Sequence, residues 1–82
     1  SIDSQIFMSI NESPSLNPRF IISSELTTPA KVVIIDEKGN QFQTFLPTNH
    51  ATISMDSTAK AGVYFAHFSS GKHNQTIKFI KM

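Results

Sequence analysis

The chain contains no cysteine, so neither a disulfide nor a thiolate metal site can supplement its core. Tryptophan is also absent and tyrosine occurs once. Extracellular sugar-binding sandwiches usually display such rings as exposed platforms, which ranks that class third here. No apolar run approaches the roughly 20 residues of a membrane-spanning helix. Neither sign of charge is in surplus. Lys and Arg total 7 against 6 Asp and Glu, a formal charge of +1, and no basic stripe forms, so nucleic acid is an unsuitable partner. An initiator Met, a signal peptide and a lipidation motif are all missing, which predicts a domain excised from a larger protein.

What remains is a chain of 82 residues with seven Phe, near the lower end of what folds unaided as one domain over residues 1–82. Its stability must come from packed apolar side chains, the phenylalanines above all. His50, His67 and His73 lack the neighbouring carboxylates or thiolates that zinc requires, and no cofactor is expected. Serines, aspartates and histidines are present, yet no Gly-x-Ser-x-Gly elbow holds them. Asn11-Glu12-Ser13 and Asn74-Gln75-Thr76 match the glycosylation tripeptide but read as turn composition. Nothing in these residues points to catalysis.

The periodicity is two almost throughout, with turn residues between short alternating runs. Strands are expected over Ile6 to Ile10, Arg19 to Glu25, Ala30 to Asp36, Gln41 to Leu46, His50 to Met55, Val63 to Ser69 and Gln75 to Lys81. β-branched Val32, Val33, Ile34 and Ile35 make the third run the strongest. Thr27-Thr28-Pro29, Glu37-Lys38-Gly39-Asn40 and Ser70-Gly71-Lys72-His73-Asn74 mark turns, and Gly39 is able to take positive φ. No helix is expected.

Strands of this size bury their apolar faces by packing as two antiparallel sheets. The expected core is Phe20, Ile22, Val32, Ile34, Phe42, Ile53, Met55, Tyr64, Ala66, Phe68, Ile77 and Phe79. The fold class is therefore all-β, an immunoglobulin-like antiparallel β-sandwich of about seven strands. In that topology a tyrosine near the start of the sixth strand turns its hydroxyl back onto the preceding chain. Tyr64 occupies that place, and Ala66 stands where antibody domains carry cysteine. Gly62 lets the chain enter the strand without a Cβ clash.

Alternation has a second consequence. If Val32, Ile34, Tyr64 and Ala66 point inward, then Val33, Ile35, Phe65 and His67 point outward. The third and sixth strands are neighbours in this topology, so the outward residues form one apolar strip, the kind of patch that marks an interaction site. Lys78 and Lys81 fall on opposite faces of the last strand, as solvated charges that discourage edge pairing.

Several segments together resemble a known family. Ser13-Pro14 and Leu16-Asn17-Pro18 before Phe20-Ile21-Ile22 are similar to an Asn-Pro-rich opening, with Ser13 where Asn is usual and one extra residue. Glu25-Leu26, Pro29-Ala30-Lys31-Val32, Ile34-Ile35-Asp36 and Gly39 are similar to a central hairpin. Gly62-Val63-Tyr64 matches a Gly-x-Tyr motif, and Thr76-x-Lys78 with Ile80-Lys81 matches a Lys-bearing apolar ending. The chain resembles a type A C-terminal sorting domain of the type IX secretion system of Bacteroidetes. It departs at Glu37-Lys38, where apolar residues are common, and at Met82, where a basic residue is usual.

The resemblance implies an address at the end of a secreted cargo protein, read by the outer-membrane secretion machinery and removed by a sortase-like peptidase upstream of the fold. The domain would be exported, passing through the periplasm to the cell surface or medium, with no active site of its own. Recognition would then draw on Gly62, Tyr64, Lys78, Ile80 and Lys81 as well as Val33, Ile35 and Phe65, and self-association stays open. The alternative is an immunoglobulin-like accessory or adhesion module, as in flagellar hook-capping proteins.

Overall fold

The third run shows how local sequence becomes a strand: Val32 and Ile34 are fully buried, whereas Val33 and Ile35 on the opposite face are half-buried. The computed structural model describes residues 7–22, 29–48 and 50–82. It contains β1 (Met8–Ile10), β2 (Arg19–Ile22), β3 (Ala30–Asp36), β4 (Gln41–Phe45), β5 (Thr52–Ser54), β6 (Gly62–Ser70) and β7 (His73–Lys81). All seven expected strands are present. The expectations for Ile6, for Ser23 to Glu25, for Leu26 and for Thr27-Thr28 lie outside the described residues.

One sheet has the order β1-β2-β5 and the other β4-β3-β6-β7, with every pairing antiparallel. The central pairing of β3 with β6 is the one immunoglobulin-like topology requires. Here the fourth strand lies beside the third instead of beside the first sheet. The result is an immunoglobulin-like β-sandwich.

Ten of the twelve expected core residues are buried between the sheets, joined by Met8, Ala30 and Ala59. Aromatic contacts run through this layer: Phe20 meets Phe79 edge-on at 5.0 Å, and Phe79 stacks on Tyr64 at 5.8 Å. Two expectations need correction. Ile77 is only partly buried, and Phe42 is 40% exposed. The register of β3 on β4 slips between Ile34 and Ile35, from Ile34↔Gln43 to Ile35↔Gln41. Phe42 is therefore the extra residue of a β-bulge, which kinks the strand and aims its ring at the rim of the sandwich. There it still reaches Tyr64, with ring centroids 5.8 Å apart.

The β3–β4 turn is built on Asp36. Its Oδ1 accepts the Lys38 and Asn40 amides at 2.9 and 2.8 Å, and the Gly39 amide bonds back to the Asp36 carbonyl at 3.0 Å. Gly39 takes φ +89, as expected of the residue that closes a three-residue hairpin loop.

Candidate recognition surface

β6 and β7 pair along their whole lengths, from Gly62↔Lys81 to Ser70↔His73, with no slip in register. A two-residue turn, Gly71-Lys72, joins them. Alternation then sorts the hairpin into two faces. Tyr64, Ala66, Phe68 and Phe79 are buried in the core, while Val63, Phe65, His67, Lys78 and Ile80 lie on the outer side.

The entrance to β6 is held by Tyr64. Its ring is 7% exposed, and its hydroxyl donates to the Lys60 carbonyl at 2.7 Å. This is the expected tyrosine corner: the hydroxyl is satisfied four residues upstream, which fixes the chain as it enters the strand. Gly62, just before it, has φ +154. The expected reason for this glycine was steric, and the structure corrects it. An added Cβ would stand 3.9 Å from Glu37 Oε1, an ordinary contact. Backbone conformation requires the glycine here, because side-chain-bearing residues rarely adopt that φ.

Lys81 is a second correction. It shares its face with Phe79 and is only 6% exposed, with Nζ donating to the Met82 carbonyl at 3.0 Å. Its methylene stem is part of the packed end of the sandwich rather than a solvated edge charge. Lys78 is the exposed lysine of the pair.

The outer face of the four-stranded sheet gathers the apolar strip. Cross-strand pairs set Ile35 beside Phe65, Phe65 beside Lys78, Val33 beside His67, and Val63 beside Ile80. Val33, Ile35, Val63 and Phe65 are half-buried by their strand neighbours, and Ile80 is 41% exposed. Lys31 and Lys78, both exposed, flank the strip. Among the described residues no strand position on this outer face carries a carboxylate. The face is apolar at its centre and cationic at its margin.

The remaining edge of β7 is covered at both ends. Near its start, the Gln75 side chain bonds to the backbone of Phe7 and Met8. Near its finish, Ser15 forms a parallel bridge with Lys81. The Ser15 amide donates to the Ile80 carbonyl at 3.0 Å, the Met82 amide to the Ser15 carbonyl at 2.9 Å, and the Ile80 amide to Ser13 Oγ at 3.0 Å. These bonds satisfy strand groups that a free edge would leave open.

Titratable groups at the turns are local. The Asn40 backbone amide, with Lys38 helping, holds the Asp36 carboxyl below its ordinary value of 3.8. The Thr58 amide and hydroxyl do the same for Asp56. His67 Nδ1 lies 2.9 Å from Thr76 Oγ1 on the outer face. His73 opens β7 and packs on Phe7, centroids 4.6 Å apart. His50, expected in a strand, instead precedes β5 at φ +59. Among the described residues no three His, Asp or Glu gather as metal ligands.

Of the eight residues singled out in the sequence, the structure brings Val33, Ile35, Phe65, Lys78 and Ile80 onto one face. Gly62, Tyr64 and Lys81 belong to the packed end behind it. Sequence reasoning missed Gln75 and the Ser13–Ser15 strap. Gln75 falls in step with Ile77 and Phe79, and a polar residue at such an inward position was the available signal. No curated protein and no solved structure gives a significant match to the chain. The family model described as the secretion system C-terminal sorting domain matches residues 14–82, from the opening strap through the last strand. That span covers β2 through β7, the tyrosine corner and the lysine-bearing ending, and the chain belongs to the type IX secretion C-terminal sorting domains.

Proposed function

We propose that this chain is one domain of a larger exported protein. It carries that cargo from the periplasm across the outer membrane by presenting a folded surface to the translocation machinery. The surface is the outer face of the four-stranded sheet, with Val33, Ile35, Phe65 and Ile80 as apolar contacts and Lys78 as the charged one. Gly62, Tyr64 and Lys81 serve it from behind, by holding β6 and β7 in register. The family itself is one of sorting signals, not of enzymes. After passage the domain is cut from its cargo by a sortase-like peptidase acting upstream of the fold.

The observation that carries this reading is the composition of the face: a contiguous apolar strip flanked by lysines, with no carboxylate at its strand positions among the described residues. Contiguous apolar surface on a small domain marks a docking site. Its charge selects an acidic partner over a second copy of itself, since opposed copies would bring like charges together.

A periplasm-directed fluorescent protein bearing this domain at its C-terminus tests the reading. It should reach the surface or medium of a bacterium with a type IX system and stay periplasmic in a strain without one. Phe65→Thr and Lys78→Glu should lower export while the melting transition stays near wild type. A folded fusion that remains periplasmic in the competent strain defeats the sorting reading and favours an accessory module. Export that ignores both substitutions moves the docking surface elsewhere.

A further inference from the structure

Gln75 makes bonds that a neighbouring strand would otherwise supply. Its Oε1 accepts the Phe7 and Met8 amides, each at 3.1 Å, and its Nε2 donates to the Met8 carbonyl at 2.7 Å. Both functions of the carboxamide are thus spent on one short stretch of backbone, 67 and 68 residues away in the chain. β1 has three residues and pairs with β2 on its other side. Among the described residues its other ties to the core are apolar: Met8 is fully buried, Ile10 packs against the core, and the Phe7 ring stacks on Phe68 at 5.7 Å and lies tilted against His73 at 4.6 Å. A glutamine is well suited to this task because it offers an acceptor and a donor on one planar group, as a peptide bond does.

We propose that Gln75 is a positioning residue that latches the strand entering the domain onto the terminal strand. β1 opens and closes on this latch as a local unit, without unfolding the rest of the sandwich. Local opening of this kind draws on a few contacts, here one side chain's hydrogen bonds and the apolar side chains of Phe7, Met8 and Ile10. The latch sets the direction in which the chain enters the sandwich. It also controls how often the backbone at Phe7 and Met8 is released to a protease. That the entering chain leads to cargo rests on the sorting reading; the latch itself does not.

The test measures local opening against global stability in the full chain. Gln75→Met keeps the shape and removes both polar functions, and Gln75→Glu keeps the acceptors and loses the donor. Amide exchange at Phe7 and Met8, followed by NMR at neutral pH, should speed up by roughly 10- to 100-fold in Gln75→Met, as expected for losing two to three net hydrogen bonds. The rise in Gln75→Glu should be smaller. Exchange at Tyr64, Ala66 and Phe79 should change far less in both variants. With a fluorescent protein fused ahead of Ser1, proteinase K should release it faster from both variants, in the same order. Gln75→Glu also secures the experiment if Gln75→Met fails to fold. Wild-type exchange at Phe7 and Met8 in a folded variant would overturn the latch. So would a rise spread equally over β6 and β7, since Gln75 would then only support overall stability. Neither result depends on export, so the sorting reading stands or falls separately.

Discussion

The two hairpins of the four-stranded sheet are made by different means. The β3–β4 hairpin is organised locally: one carboxylate, Asp36, gathers its turn, and a bulge at Phe42 interrupts its register before pairing resumes from Ile34↔Gln43 to Val32↔Phe45. The β6–β7 hairpin has a plain two-residue turn and unbroken pairing over nine residues, but it depends on distant partners. Lys60, Phe20, Ser15 and the backbone of Met8 all bear on it. Turn chemistry secures the first hairpin and the rest of the molecule secures the second. Damage to the first should therefore stay local and damage to the second should spread.

The sharpest break in this contrast is at the tyrosine corner. Tyr64→Ala opens an aromatic cavity in β6 and should cost about 3–5 kcal/mol of global stability in denaturant unfolding. Tyr64→Phe keeps the ring and loses only the bond to Lys60, so it should cost roughly 0.5–1.5 kcal/mol. Near-equal stability of wild type and Tyr64→Ala would place the weight of the fold elsewhere.

The two lysines of β7 give the next largest difference. Lys81→Ala removes a buried stem and should cost about 1–2 kcal/mol, with Lys81→Met restoring most of it. Lys78→Ala on the outer face should stay within about 0.5 kcal/mol of wild type. Thermal melts of the three variants separate these outcomes, and equal losses for the two alanine variants would erase the distinction between faces.

The smallest effect belongs to the local hairpin. The folded-state carboxyl of Asp36 lies below its ordinary value of 3.8, held there mainly by the Asn40 amide. A depressed carboxylate contributes stability that is fully present above the unfolded value and is lost as pH falls through the folded one. Asp36→Asn should therefore flatten the acid side of the stability curve below pH 3.8, with no change at neutral pH in the exchange of β7 amides. An acid limb as steep as wild type would remove Asp36 from the account of that turn.

Much of this architecture is legible in the sequence because period two is unambiguous where β-branched residues run together. Val32 and Ile34 could face only one way, and their partners Phe68 and Ala66 followed. The corner was legible because Gly62 and Tyr64 sit at fixed offsets from an alternating strand. The outer strip then needed only parity.

The bulge was harder, since strict alternation assigns Phe42 a face without regard to its partner strand. A signal was present nonetheless: Phe42 and Phe45 are three apart, a spacing that a regular strand cannot place on one side. Lys81 misled through its charge, which predicts solvent, while its parity with Phe79 correctly predicted the inside. Gln75 and Ser15 act across the whole length of the chain, and no local pattern encodes such a pairing. Residue type was misleading where parity was not.

The bonds at the two ends of β7 also bear on the time course of folding. The Gln75 and Ser13 ties to β1 and Ile80 close loops of 67 or 68 residues, nearly the entire domain. The chain entropy for such a loop is lost before the contact returns anything, and proteins rich in non-local pairings fold slowly for that reason. The β3–β4 turn, by contrast, forms within five consecutive residues. Folding should therefore proceed from hairpins that close early to an edge that closes last, with the docking of β1 and the Ser13–Ser15 strap on β7 the rate-limiting step. A passenger joined ahead of β1 would be tethered to an unfinished sandwich for most of that interval.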